Sequence, residues 1–411
     1  MIGRVLELSL TADPLNPMDG GAVGGQQILV REAVRGLARQ GVGSDVFTYR
    51  QSRRFAPVGS QLAHMSRVVR IGSERDFPQE DIDWVAMADE IADRIYAKIQ
   101  AEGSEYGLIH SHFWVSGMVA QELSERLKIP WIHSPYKMAK WIHRAGQPLP
   151  ARRVEIERSL INEVAAVVVN YLDEGELIHA DSPRTPLYVI PPAIESTTFF
   201  ERDCGPVLKS LNLKRRPAIY VGRLSHGRGI LGLLKEMSKR ELPPEFCLLV
   251  LGGDRGEVVH GRPADPVLAQ LKQSLGERVK FLGPMPHGAV AQYLSAAGVV
   301  LAPNQGPTLG MAVVEALACG KPVVGSRVTG VSDWITPGVD GLLYEPNDIE
   351  GMLSGALSLW QDGAKARMLG KAGYDKVHRH HSLDYMSEQL VRVYEEVMEG
   401  ERVETGFGHG Y

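Results

Sequence analysis

Short apolar runs alternate with amphipathic stretches through most of the chain. Val5–Leu10 reads as a first strand and the polar, glycine-bearing stretch 13–25 as a loop. Gln26–Gln40 has the spacing of an amphipathic helix closed by Gly41, and Ser44–Thr48 reads as a second strand. Leu108–His112 and Trp131–Ser134 repeat the theme with a helix over Val115–Leu127 between them, and Val164–Asn170 and Leu187–Ile190 add two more strands. Runs this apolar, separated by helices, predict an α/β protein with a parallel, doubly wound sheet buried on both faces. Pro191-Pro192-Ala193 stops the pattern, and the polar stretch up to Arg216 reads as a linker. The alternation restarts with Ala218–Val221, Cys247–Leu251, Val279–Leu282, Val299–Ala302 and Pro322–Val324, which predicts a second Rossmann-like sheet. Leu353–Gly400 reads as mostly helical, and 401–411 as a disordered tail.

Length agrees with two domains, since 411 residues exceed what one compact core holds. The 44 glycines suit many tight turns close to a ligand. A net charge of -4 argues against a nucleic-acid binder, which needs a basic face. Arg4 and Glu7 interrupt the first strand, so no secretory leader or apolar span is read there, and a cytoplasmic location is expected. Cys204, Cys247 and Cys319 lack metal-type spacing and read as reduced thiols. His110-Ser111-His112 ends a strand, where such a pair is structural more often than metal-binding. No metal and no cofactor are expected.

The densest chemical signal lies in residues 303–322. There an apolar strand runs into a polar, glycine-bearing loop and then an alanine-rich helix that ends at Gly320. The open N–H groups and dipole of such a helix start favour phosphate. Glu315, about one turn in, is placed to accept bonds from ligand hydroxyls. Gly24-Gly25 open the first helix, either as a plain turn or to let backbone N–H groups approach a phosphate or sugar. In Tyr220–Ile230, Arg223 and Arg228 flank a glycine-bearing turn after a strand, and paired guanidinium groups can neutralise a departing diphosphate. Phe281–Pro286, with Gly283 and Met285, follows another strand and offers backbone groups to a base edge, or is a simple proline-rich turn. His112, Phe113 and Trp114 end a first-half strand, where an aromatic pair can support a sugar face.

Together these segments, VGGQQILVREAVRGLARQG, HSHFWVSG, VIPPAIE, VGRLSHGRGI, FLGPMP and Gly310–Glu315, resemble glycosyltransferase family 4 in order and spacing along nearly the whole chain. HSHFWVSG and VGGQQ resemble most the branch of mycothiol-pathway inositol-phosphate glycosyltransferases and sucrose-phosphate synthases. The resemblance implies a GT-B fold: an acceptor domain over 1–195, a nucleotide-sugar domain over 196–375, the two facing across a cleft, and a helix over 376–400 packing back on the first domain. It implies metal-free, retaining transfer from a UDP- or GDP-sugar to a small polar acceptor. Arg223 and Arg228 would hold the diphosphate and Glu315 the ribose. Gly24, Gly25, Gly283, Met285, Pro307, Thr308, Leu309, Gly310, Met311 and Ala312 would line the donor, and His112, Phe113, Trp114 and Lys137 the acceptor. Tyr136 falls where relatives carry a sugar-contacting histidine, a role His133 could also take. Pro307 stands where the family pattern has a glutamate, and Phe113 replaces a tyrosine that helps bind an acceptor phosphate. These departures concern the sugar and acceptor, so the expectation is a non-standard sugar in a specialised-metabolite or antibiotic pathway, with a thiol acceptor as in lincosamide S-glycosylation. The alternatives are a standard inositol-phosphate or sucrose-phosphate type of enzyme, and a non-catalytic nucleotide-sugar-binding partner protein. Self-association as a homodimer is compatible with the sequence.

Overall fold

The computed structural model describes residues 2–15, 25–51, 60–78, 80–136, 138–140, 151–224, 229–253 and 256–400. The tail 401–411, Gly24, Lys137 and Arg228 lie outside the described residues. Two compact units divide the chain: one holds the described residues up to Ala193 together with those from Leu383 onward, the other Ile194–Ser382.

The first unit is built on eight strands: β1 (Arg4–Leu8), β2 (Gly43–Tyr49), β3 (Ser60–Ala63), β4 (Ser66–Ile71), β5 (Leu108–His112), β6 (Trp131–Ser134), β7 (Ala166–Val169) and β8 (Leu187–Val189). Their order is β3-β4-β2-β1-β5-β6-β7-β8, with every pairing parallel except β3–β4. Leu6, Leu8 and Ile109 point to one face, into a core shared with the helices Asp81–Glu102, Trp114–Leu127 and Ala151–Glu163. Val5, Leu108 and Ile132 point to the other, under the helices Gly25–Arg39 and Leu383–Glu399. The latter helix is apolar at Leu383, Met386, Leu390 and Val393, a stripe of helical period that sheet residues cover. It lies close on Gly25–Arg39, because a Cβ at Gly36 would stand 2.8 Å from Ser387 Cβ.

The antiparallel β3–β4 hairpin and the 22-residue helix Asp81–Glu102 are additions to the predicted alternation. In β4 the interruption is Arg70, a buried cation whose Nε donates to Asp13 Oδ2 at 2.6 Å. A partner 57 residues away leaves no local trace in the hydrophobic pattern.

The second unit carries β9 (Ala218–Val221), β10 (Leu248–Leu251), β11 (Val258–Val259), β12 (Arg262–Pro263), β13 (Val279–Gly283), β14 (Val299–Ala302), β15 (Val323–Ser326) and β16 (Gly341–Tyr344). Six of them form a parallel sheet in the order β13-β10-β9-β14-β15-β16, and β11–β12 is a separate small hairpin. Strand β16 is an addition to the expected set. The helix expected over 376–400 is corrected. Gly363–His380 is one continuous helix of the second unit, fitted onto Met311–Ala318 where a Cβ at Gly373 would meet Leu317 Cδ2 at 2.6 Å. The chain returns to the first unit only at Leu383. Among the described residues no helix is long and apolar enough to cross a membrane.

Candidate functional site

The second unit's sheet grows outward from β9, to β10 and β13 on one side and to β14, β15 and β16 on the other. The order therefore reverses between β9 and β14, and in doubly wound sheets ligands bind where the C-terminal loops part at such a reversal. Here those loops are fitted together through bare backbone. Gly229, at φ 73°, starts the helix Ile230–Ser238, and a Cβ on it would sit 1.6 Å from Pro303 O. Gly252 N donates to Gly283 O at 2.9 Å and Gly253 N to Gly222 O at 3.0 Å, joining the ends of β9, β10 and β13. A Cβ on Gly310 would sit 1.5 Å from Gly330 O, and one on Gly330 1.6 Å from Thr308 O. Thr308 N also donates to Thr329 O, at 3.0 Å.

Around this frame the expected donor residues fall on the loops after β9, β13 and β14. Arg223 follows β9, is exposed, and forms no ion pair among the described residues. Gly283 closes β13 and Met285 follows it, half-buried. Pro307 is exposed, and Thr308 and Leu309 lead to Gly310, which caps the helix Met311–Ala318. Val313 and Val314 donate their N–H groups to Gly310 O, so those of Met311 and Ala312 have no acceptor among the described residues. Glu315 is buried, with Oε1 2.9 Å from His287 Nε2. Phe199 packs edge-on against the same imidazole at 5.0 Å.

In the first unit the corresponding reversal lies between β1 and β5. Gln26 reaches across it from the first turn of Gly25–Arg39, its Nε2 donating to His112 O at 3.3 Å. Phe113, at φ 75°, turns the chain into Trp114–Leu127, and the Arg153 guanidinium lies 4.9 Å from the Phe113 ring centre. Arg153 also donates to Glu157 Oε1 at 2.9 Å, while Glu157 Oε2 accepts from Ala139 N at 2.7 Å, which ties down the segment after β6.

Period-two geometry then separates the polar residues of β1, β5 and β6. Glu7, His110, His112 and Ser134 share the face covered by Leu383–Glu399, whereas Ser111 and His133 face Trp114–Leu127. His112 Nε2 lies 2.7 Å from Glu7 Oε2 and its Nδ1 2.8 Å from the Tyr136 hydroxyl. His110 is bound by the Tyr394 hydroxyl at 2.6 Å and the Ser134 hydroxyl at 2.9 Å. Burial pushes Glu7 up to about 7 and both histidines down to about 3, so the imidazoles are neutral hydrogen-bonding groups at neutral pH. Glu7, His110 and His112 bring ligand-type atoms within 4.8 Å of one another, but every ring nitrogen already has a partner, which an ion would have to displace.

Three expectations are corrected by this placement. His133 is 1% exposed, bonded to Ser111 at 2.8 Å and packed on Gly117, so it does not take the sugar-contacting role. Trp114 is 1% exposed and part of the core beneath β1 and β5, so it has no surface to present to an acceptor. His112 is likewise 1% exposed, with its Nδ1 on the Tyr136 hydroxyl, and has no surface to present to an acceptor. Sequence reasoning missed His287, Gln26, Arg153 and the Thr329–Gly330 clamp. The pair Gly252-Gly253 directly after an apolar strand was a legible signal of another bare-backbone loop, while His287 carried none.

Residues 24–193 match the profile described as glycosyl transferase 4-like domain, and residues 209–376 the one described as glycosyl transferases group 1. The D-inositol 3-phosphate glycosyltransferase of Acidothermus cellulolyticus is 30% identical over 365 residues, covering 84% of this chain and 80% of that protein. The sucrose-phosphate synthase structure from Thermosynechococcus elongatus superposes with a TM-score of 0.85 at 26% identity, over 97% of this chain and 100% of that one. The Anabaena HepE structure in complex with UDP and glucose shares the fold at a TM-score of 0.73 and 16% identity, over 96% of this chain and 100% of that one.

Proposed function

Because the chain belongs to glycosyltransferase family 4 and has its two-domain α/β GT-B fold, we propose that it transfers a sugar, with retention, from a nucleoside-diphosphate sugar to a small phosphorylated polyol or sugar. The observation that carries the donor half is the reversal between β9 and β14. There an exposed Arg223, with no ion pair among the described residues, follows one strand, and the open N–H groups of Met311 and Ala312 come after the other. Both groups favour charge that builds on a diphosphate as the anomeric C–O bond breaks. The acceptor oxygen forms the new bond on the same face of the sugar, and its proton passes to the departing diphosphate. Glu315, braced by His287, would accept from the ribose hydroxyls. The names of the relatives support a phosphorylated acceptor, the reading first held as the alternative, better than a thiol. UDP is the first donor base to try, given the ligand of the Anabaena structure. Pro307 and Phe113 remain the positions at which the sugar and acceptor would differ from those of relatives.

A panel of UDP- and GDP-sugars against inositol phosphates and hexose phosphates, read by mass spectrometry and by NMR of the new anomeric centre, tests this reading. Transfer with retention to a phosphorylated acceptor is the expected result, and transfer only to unphosphorylated or thiol acceptors would overturn the acceptor half. Arg223→Ala is expected to lower kcat/KM by about 10²-fold, the scale for removing one donor to developing charge. Nucleotide binding without any transfer or hydrolysis would point instead to a non-catalytic binding protein.

A further inference from the structure

At the opposite end of the second unit's sheet, where β9, β14 and β15 begin, lies a cavity of about 680 Å³. Its wall carries Arg215, Arg216, Lys321, Arg367 and Lys371, the last paired with Asp375 Oδ2 at 2.9 Å, against one lining carboxylate, Glu201, in a chain whose net charge is -4. Arg215, Arg216 and Arg367 form no ion pair among the described residues. Arg215 lies over the Trp360 ring at 4.1 Å, and Arg216 donates only to a carbonyl, Ser295 O, at 3.1 Å. Lys321 is 4% exposed, and its one counter-ion among the described residues is the exposed Glu201, 3.0 Å away. Desolvation and the neighbouring Arg216 charge both hold its ammonium below the ordinary lysine range, so this wall has more positive charge than the protein neutralises.

Part of the lining is bare backbone. Gly298 and Gly320 line it, and a Cβ at Gly370 would stand 2.2 Å from Gly320 O, so the helix Gly363–His380 is seated directly on this edge. The volume is that of a small-molecule pocket, several times what a lone phosphate fills. Guanidinium groups are the side chains best matched to phosphate oxygens. We propose that this cavity is a second anion site, taking a small soluble metabolite that bears a phosphate or diphosphate group, separate from the donor loops.

Titration calorimetry with pyrophosphate tests it on the full chain. The comparison sets the wild type beside Arg223→Ala, altered only at the donor loops, and an Arg215→Glu/Arg367→Glu double variant altered only at the cavity. The expected result is that pyrophosphate binding survives Arg223→Ala and weakens at least tenfold in the double variant. UDP binding to the donor loops of the double variant should stay within twofold of wild type. Should charge reversal prevent folding, judged by near-ultraviolet circular dichroism, Arg215→Gln/Arg367→Gln gives the same comparison. Absence of measurable binding to the wild type, or binding lost in Arg223→Ala and unchanged by the cavity variants, overturns the proposal. So does binding confined to phosphatidylglycerol vesicles in a sedimentation assay, which would make the surface a membrane contact.

Discussion

Tyr136 joins a buried ring to a backbone angle, φ 55°, that few residues other than glycine adopt. Such a conformation persists only where the surroundings fix it. Here they do so through its hydroxyl on His112 Nδ1 and the stacked imidazole, with centroids 5.8 Å apart. Tyr136→Phe leaves a buried ring nitrogen without its partner and is expected to cost about 1–3 kcal/mol, measurable by chemical denaturation. The same network sets a pH response. His110, His112 and His133 titrate near 3 in the folded protein, against 6.5 for an ordinary imidazole. The unfolded chain thus binds more protons between those values, and stability from these three falls as pH drops from about 6.5 toward 3. Glu7, raised to about 7, has the opposite sign: it is protonated when folded and ionised when unfolded, so its contribution falls as pH rises from 4.5 to 7. Glu157 and Glu174, also raised by burial, share the sign of Glu7, and His381, lowered to about 4, that of the other imidazoles. Four imidazoles against three carboxyls give an expected melting temperature that drops below pH 6.5, and a flat profile down to pH 4 would contradict this burial. The His110–His112 pair was legible as structural. Glu7 read only as an interruption in an apolar strand, since its partners come from strands and a helix far along the chain.

Elements show where local pattern suffices and where it does not. Strands β5, β6, β9 and β14 were legible to the residue; for β9 and β14 the reason is that a run apolar on both faces has few homes other than a buried parallel strand. Strand β4 and the helix Asp81–Glu102 were not: one buries an arginine, and the other shares its core with partners contributed by distant segments. The donor loop divides likewise. Its glycines and helix start were visible in residues 303–322, but the reason Gly310 is glycine lies at Gly330, across the turn from β15. Gly330→Ala puts a methyl group 1.6 Å from Thr308 O, at a φ of 81°. It is expected to shift the Thr308–Gly310 backbone and weaken nucleoside diphosphate binding by at least tenfold, while the far-ultraviolet circular dichroism stays that of the wild type. Unchanged binding would show that the clamp does not set the donor loop.

At the scale of the molecule, the two-domain division could be read from the proline-rich interruption near residue 191 and the second run of strands. The return of the last helix to the first unit was legible only as a family expectation, and its starting point was misplaced because Gly363–His380 has no break at residue 376. Ending the chain after Ser382 removes Leu383, Met386, Leu390, Val393 and Tyr394 from the sheet. At about 1.5–3 kcal/mol for each buried side chain, that exceeds the whole stability of many domains. Limited proteolysis of such a truncation is expected to degrade the first unit and leave a resistant fragment close to Ile194–Ser382; equal resistance of both halves would contradict the assignment of the helix.

This arrangement has a consequence for biosynthesis. The amino-terminal unit is translated first, yet the hydroxyl that satisfies His110 belongs to Tyr394. Its sheet must stay partly uncovered on the ribosome while the second unit is made, whereas the described residues of that unit form one run, complete once Ser382 clears the exit tunnel. The half synthesised last can therefore be the half that matures first.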